Sequence, residues 1–127
     1  MSVSALNYIA QMMQEIGVPY RFERWKAAEL PDNYYCVGES YTEIPSLTKE
    51  EDGRHETTLY LRLFTRKEWL LLEQAKELIE KNCARTAILD DGTWIAVFYD
   101  SAMIVPTGDA ELKSMKINLT IQEWKVK

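Results

Sequence analysis

The side chains in this chain that could form a catalytic or metal site are one histidine, two cysteines and several aspartates. A catalytic histidine needs a nucleophile or an orienting carboxylate as partner, and nothing near His55 in the sequence singles one out. Cys36 and Cys83, with a single histidine, lack the ligand spacing of a zinc site. We therefore expect His55 to be a solvated surface residue and both cysteines to be buried, unpaired thiols.

The aspartates offer another kind of chemistry, because carboxylates bind hard cations. Asp90 and Asp91, however, stand in an Asp-Asp-Gly-Thr hairpin turn, and Asp109 directly follows a glycine in a second turn, so turn chemistry accounts for them without a metal. Asp100 is the fourth aspartate that could converge with them. The sequence contains no glycine-rich phosphate loop, nucleophile elbow or paired-carboxylate motif. We predict no catalytic residue, no metal site and no cofactor-binding residue, and a protein that is not an enzyme.

The composition predicts one globular domain over residues 1–127. Hydrophobic residues make up 46% of the chain and charged residues 28%, which excludes a disordered protein. Twenty acidic residues against 15 basic ones give a net charge of −5, which disfavours non-specific binding to nucleic acid. No apolar run approaches the roughly 20 residues of a membrane span, and no signal peptide is visible. We expect a cytoplasmic protein with neither a membrane nor a specific nucleic-acid partner.

A strand that runs directly into a helix is the clearest structural signal. From residue 57 to 64, Thr57 and three leucines alternate with Thr58, Tyr60, Arg62 and Phe64, as on a half-buried strand. Thr65 and Glu68 then have the Thr-x-x-Glu spacing of a capping box, which predicts that the helix opens at Thr65. Its apolar stripe follows the three- and four-residue steps of one helical face and consists of Leu71, Leu72, Ala75, Leu78 and Ile79.

The remaining elements complete an α+β fold. Ser2 or Ser4 can cap a first helix that ends near Ile16, with Gly17 as its left-handed terminator. Its apolar stripe is Leu6, Ile9, Ala10, Met13 and Ile16. Strands are predicted over 20–25, 34–44, 84–89, 94–99 and 112–124. The expected architecture is a mainly antiparallel β-sheet with two amphipathic helices packed on one face.

Aromatic residues on the sheet suggest an interaction surface. In the strand over 34–44, Gly38 marks a bulge or a close backbone approach. Alternation puts Tyr34 and Tyr41 on opposite faces, so at least one should point away from the helices. Trp124 falls on the polar face of the last strand. Aromatics on a polar sheet face suit a protein interface, and ordinary surface packing is the alternative.

The segment over 45–56 is polar, charged and much longer than an ordinary hairpin loop, although the strands it joins are expected to pair antiparallel. Such a segment gains little from packing and is a candidate mobile projection. It is either a solvated loop without a partner or a partner-binding element. The candidate partner-binding residues are Lys49, Glu50, Glu51, Asp52 and Arg54, together with Trp124.

The layout resembles that of the tail terminator, or tail completion, proteins of long-tailed bacteriophages and prophages. The stretches that carry the resemblance are the opening helix with Gly17-Val18-Pro19, LPDNYYCVGESYTE, the charged loop, LYLRLFTRKEWLLLEQAKELIEK, and the closing MIVPTGDAELKSMKINLTIQEW. The resemblance implies a non-enzymatic homo-oligomer, usually a hexameric ring, that caps the tail tube, stops its growth and docks the head connector. It implies assembly in the host bacterial cytoplasm, a place at the head-proximal end of the virion tail, and no cofactor.

Three alternatives remain open at this point. One is a related neck or head-completion protein. The second is a small ligand-binding or regulatory module with a pocket between sheet and helices. The third is an enzyme whose site has no recognisable motif.

Overall fold

A computed structural model describes residues 1–44 and 55–125, with the side chain of Ile44 excepted. These residues form two α-helices, six strands and a short 3₁₀ turn over Ala27–Glu29. In chain order the elements are α1 (Val3–Ile16), β1 (Tyr20–Phe22), β2 (Tyr35–Ile44), β3 (His55–Thr65), α2 (Leu70–Asn82), β4 (Arg85–Ile88), β5 (Thr93–Ile104) and β6 (Lys113–Lys125).

The six strands form one sheet in the order β1-β2-β3-β6-β5-β4. Every neighbouring pair is antiparallel except β1 with β2, which is parallel. Both helices pack against the same face, which we call the inner face, and the opposite face is the outer face. The predicted α+β class, with two helices on one face of a mainly antiparallel sheet, is confirmed.

The core lies between the inner face and the helices. Leu61 on β3 and Leu119 on β6 are fully buried, as are Leu72 and Ile79 on α2. Their burial follows from the alternation of β3 and β6 and from the helical spacing of α2. Other fully buried side chains of this cluster are Ile9, Met12, Met13, Leu59, Leu63, Ile95, Ile117 and Ile121.

Helix α1 begins at a serine cap and ends at a glycine, as predicted. The Ser2 hydroxyl accepts a hydrogen bond from the Ala5 backbone N–H at 3.1 Å. Gly17 adopts the left-handed conformation with φ of 80°, which glycine reaches without a steric penalty. The buried face is turned slightly from the predicted stripe, because Ala10 is exposed. Its buried members are Ala5, Ile9, Met12 and Met13.

The predicted capping box at the start of α2 was wrong. Thr65 is the last residue of β3, and the helix begins at Leu70 with no side-chain hydrogen bond at its cap position. The Thr65 hydroxyl instead donates to the Asn33 carbonyl at 2.6 Å and accepts from the Lys67 N–H at 3.0 Å. A partner 32 positions away holds Thr65 at the strand end. The buried stripe of α2 is also narrower than predicted, since Leu78 is exposed.

A bulge in β2 changes which residues share a face. The pairing of β2 with β3 shifts between Gly38 and Ser40. After the shift Tyr41 stands opposite Leu59, on the inner face. Because Tyr34 also packs against the core, the prediction that one of these tyrosines must point away from the helices was wrong. The extra residue of a bulge breaks the period-two alternation on which that prediction depended.

Gly38 is also a place of close backbone approach, so both readings of this glycine are confirmed. The side chains of Tyr20 and Phe22 on β1 lie directly over it. A Cβ atom at position 38 would meet the Tyr20 hydroxyl and would lie 2.8 Å from Cδ2 of Phe22. Only glycine leaves room for the two rings where β1 joins the sheet.

Candidate interaction surface

One corner of the outer face carries an aromatic cluster. Tyr35 on β2 stacks on Phe64 of β3, with ring centroids 5.2 Å apart, and Trp25 meets Tyr35 edge-on at 6.1 Å. The Trp25 indole N–H donates to the Cys36 carbonyl at 2.9 Å, which fixes the ring. The guanidinium of Arg21 lies 4.6 Å from the centre of the Trp25 ring. The corner therefore presents rigid aromatic side chains with a cation held over one of them.

The diagonally opposite corner carries a second aromatic pair. Trp94 on β5 and Trp124 on β6 are directly opposite in register and stack with centroids 6.2 Å apart. Ile88 on β4 continues the row beside Trp94 and is 60% exposed. Trp124 thus lies on the outer face, as predicted, and sequence reasoning missed that Trp94 is its partner.

Cations and amides fill the outer face between the two corners. The Lys116 ammonium lies 4.7 Å from the centre of the Tyr60 ring. Arg62 Nε is 3.0 Å from a Glu39 carboxylate oxygen, close enough for an ion pair but not aligned as a hydrogen bond. The buried Oδ1 of Asn118 has no hydrogen-bond partner among the described residues. The face is therefore polar and cationic at its centre and aromatic at two corners.

The histidine and cysteines lie apart from one another. His55 is exposed at the start of β3, opposite Glu123 of β6. Both cysteines are unpaired and buried, as expected. Burial raises the pKa of the Cys36 thiol far above its usual range and that of Cys83 to about 11, so both are protonated at neutral pH.

The candidate aspartates of the described residues lie in different turns and strands. Asp91 accepts the Thr93 backbone N–H at 3.0 Å in the β4–β5 turn, and this hydrogen bond lowers its pKa. Asp109 accepts the Glu111 N–H and the Arg66 guanidinium, both at 3.0 Å, and the pKa of Asp109 is lowered for the same reason. Asp100 lies where the β5–β6 register shifts and accepts from the Thr120 hydroxyl. The parts of the chain with described positions contain no group of three potential metal ligands.

A polar cluster at the chain start escaped the sequence analysis. Glu123 stands on the inner face of β6 and is only 6% exposed. The Ser2 hydroxyl donates to its carboxylate at 2.5 Å. The N-terminal amine pairs with Glu43, and burial lowers the pKa of that amine, with Glu123 opposing the effect. The signal was Glu123 itself, a carboxylate at an apolar position of the β6 alternation.

Cavities lie at the surface near loops and helix ends. One of about 510 Å³ opens near the start of α2, lined by Asn33, Lys67, Glu68, Leu71 and Lys113. Another, of about 480 Å³, lies between α1 and β1, where Gln11 and Gln14 face Arg21 and Trp25. Polar and aromatic side chains thus line the second cavity together.

No family model matches the chain. No curated protein matches it either. In the part of the chain with described positions, no helix is both long and apolar enough to cross a membrane. The predicted partner-binding residues Lys49, Glu50, Glu51, Asp52 and Arg54 lie outside the described residues, and only Trp124 of that set has a described position.

Proposed function

We propose that this protein is a structural subunit of a phage or prophage tail, a tail terminator that assembles as a ring on the end of the tail tube. The ring stops tube growth and offers a surface to the head connector. The protein acts by binding other protein subunits and carries no catalytic site or cofactor. It works in the host bacterial cytoplasm during assembly and remains at the head-proximal end of the virion tail.

The observation that carries the proposal is the composition of the outer face. Its exposed and half-buried side chains are rich in tryptophan, tyrosine and arginine, the residue types enriched at the energetically dominant positions of protein interfaces. Trp25 and Trp124 are each held in place by a neighbour, Trp25 through its bond to the Cys36 carbonyl and Trp124 by stacking on Trp94. Fixed aromatic side chains lose little conformational entropy on binding. A face of this kind suits a flat protein partner such as a tube or connector subunit.

The resemblance in sequence decides which assembly is proposed. A ring also needs two different contact patches on each subunit, and this chain has distinct surfaces at its two sheet edges and on its outer face. His55 and Glu56, which the sequence predicts to lie in the charged segment over 45–56, are part of β3. The charged residues over 45–54 lie outside the described residues and are proposed as a further contact with a neighbouring subunit or the tube.

The test is deletion of the gene in the phage or prophage that encodes it, followed by electron microscopy of the tails. We expect tails of uncontrolled length or tails without heads. Complementation with Trp124→Ala or with residues 47–53 shortened to a glycine-containing turn should fail, whereas Leu70→Ala, a change at an exposed helix position, should restore infectivity. Normal tails after deletion would contradict the proposal. If the Trp124→Ala protein and the protein with the shortened segment both restored full infectivity, neither site would be a contact needed for assembly.

A ligand-binding or regulatory module is the second candidate, favoured by the cleft between α1 and β1. A ligand that binds only the native state raises the melting temperature, and the rise grows with the logarithm of the ligand concentration once the site is saturated. A small molecule that stabilises the wild-type protein but not Gln14→Ala would support this reading over the first.

A further inference from the structure

The sheet has two open half-edges at opposite ends. We call the end where β3 begins the His55 end and the end where it stops the Thr65 end. On one side of the sheet, β4 covers only Trp94–Val97 of β5, near the His55 end. On the other side, β1 covers only Cys36–Gly38 of β2, near the Thr65 end. Within the described residues, 98–104 of β5 therefore pair only with β6, and 39–44 of β2 only with β3, so the other edge of each stretch is open.

We infer that these two half-edges pair with each other between copies of this chain. The free stretch of β5 in one subunit forms an antiparallel ladder with the free stretch of β2 in the next, so that the sheet continues from subunit to subunit. Because the open stretches are diagonally placed, the second subunit is displaced along the strand direction. Its β1 then lies beyond the end of the first subunit's β5, and the first subunit's β4 lies beyond the end of its neighbour's β2.

The lengths and directions match. Both open stretches span about 20 Å at the usual rise per strand residue. Strand β2 runs towards the His55 end and β5 towards the Thr65 end, since each step from β2 through β3 and β6 to β5 reverses direction. Two subunits placed side by side in the same orientation therefore bring the two strands together antiparallel.

The backbone phase matches as well. At the end of β5, the Val105 N–H donates to the Ser114 carbonyl of β6. Because backbone groups of successive strand residues point to opposite sides, the odd-numbered residues after the Asp100 bulge point their N–H and C=O groups at β6. Those of Ala102 and Ile104 therefore point at the open edge. In β2, Cys36 N–H and the Gly38 carbonyl bond towards β1. After the bulge, Tyr41 and Glu43 continue that direction.

On both open stretches, the residues that present backbone groups also carry inner-face side chains. Ala102 stands opposite Ile117 and Tyr41 opposite Leu59, and both of these partners lie in the core. Residues that face each other in an antiparallel ladder have side chains on the same face. The joined sheet therefore keeps all its helices on one side, as a ring of equivalent subunits requires.

The side chains at the two edges suit burial. On β5, Met103 and Ile104 are 59% and 68% exposed, and this open stretch contains no lysine, arginine or proline of the kind that protects natural edges. At the β2 edge, Phe22 and Tyr41 are both partly exposed and lie 6.2 Å apart on the inner face. Ile104 of one subunit would contact this pair on the next.

No unpaired like charges meet in this arrangement. Glu39 and Glu43 on β2 pair within their own subunit with Arg62 and the N-terminal amine. Asp100, the acidic residue of the β5 stretch, accepts from Thr120.

Pairing β5 with a second β5 would leave the β2 edge open, whereas the head-to-tail joint covers both edges. The joint specifies the subunit contact of the ring and in that sense rests on the proposed function.

Disulfide trapping tests the joint. Met103 and either Ser40 or Thr42 would be opposite each other on its outer face, at Cα separations near those a disulfide spans. Purified Met103→Cys/Ser40→Cys and Met103→Cys/Thr42→Cys proteins should give, on oxidation, a ladder of covalent oligomers beyond the dimer from at least one pair. Each single-cysteine variant should give no covalent ladder, and the wild-type protein serves as the control for its two buried cysteines.

A charge variant gives an independent readout. Ile104→Glu would place a carboxylate against the apolar Phe22–Tyr41 pair of the next subunit, so in the double-cysteine background it should abolish the ladder. Leu70→Glu, which changes an exposed leucine away from both edges, should leave the ladder intact. Melting temperatures near that of the parent would show that both charge variants are folded.

The outcomes separate the joint from the proposed function. Absence of any ladder, dimers from a single variant, or a ladder that survives Ile104→Glu would overturn the joint. Wild-type oligomers in sedimentation without a ladder would place the subunit contact elsewhere and leave the ring intact. A ladder together with normal tails after gene deletion would retain the joint and refute the tail-terminator function.

Discussion

The hydroxyl of Ser2 donates a 2.5 Å hydrogen bond to the carboxylate of Glu123, across 121 positions of the chain. The same hydroxyl accepts from the Ala5 N–H and so caps α1. One side chain thus fixes the start of the first helix and supplies a donor to a buried carboxylate at the end of the last strand. Burying a carboxylate without such donors is costly.

Ser2→Ala is expected to lower the free energy of unfolding by about 1 to 3 kcal/mol, because it removes the cap and a hydrogen bond to Glu123. Ser4→Ala is the matched control, since Ser4 lies inside α1 and alanine favours helix. Urea titrations of both variants make the comparison. Equal losses in the two variants would show that the Ser2 contacts do not act as described.

Thr65→Ala should also destabilise, by about 1 to 3 kcal/mol, because it leaves the Asn33 carbonyl and the Lys67 N–H without their partner beside a buried position. Thr65→Ser keeps the hydroxyl and should recover most of the loss. Glu68→Ala should change the stability by less than about 0.5 kcal/mol. If Glu68→Ala instead caused a large loss of stability in denaturant titration, the result would support a Thr65–Glu68 capping box and contradict the position of Thr65 at the end of β3.

Leu72→Ala should cost about 2 to 5 kcal/mol, since it opens a cavity in the layer between α2 and the sheet. Leu70, two residues earlier, is 58% exposed, and Leu70→Ala should cost less than about 0.5 kcal/mol. The pair tests which face of α2 is buried. Similar losses at both positions in chemical denaturation would mean that the helix is rotated from the orientation described.

Cys36 and Cys83 should react slowly with a thiol reagent in the native protein and rapidly in urea, because burial keeps them covered and protonated. Free thiols ionise near pH 8.5, and burial raises the pKa of Cys83 to about 11. The stability that the neutral thiols confer is therefore fully present below about pH 8.5 and is lost as the pH rises towards and through the folded-state values. Absorbance of the released reagent follows the reaction, and a native Cys36 as reactive as free cysteine would contradict its burial.

Much of the fold follows from local periodicity. The alternation in β3 and β6 predicted which residues are buried, since neighbouring side chains of a strand point to opposite faces whatever the partner strand. The left-handed residue after α1 and the β4–β5 turn were predicted because glycine and aspartate have local conformational preferences. The outer-face position of Trp124 followed from the same alternation.

Other features depend on partners distant in sequence, so only the tertiary structure decided them. The local sequence around Thr65 matches a capping box. In the structure, however, the Thr65 hydroxyl donates a hydrogen bond to the Asn33 carbonyl, and Thr65 lies at the end of β3. Tyr41 changes face because β2 accommodates β3 through a bulge beside Gly38. Neither the strand order nor the two open half-edges is visible in the sequence. They arise because β1 and β4 are too short to cover β2 and β5, and that mismatch exists only once the strands are paired.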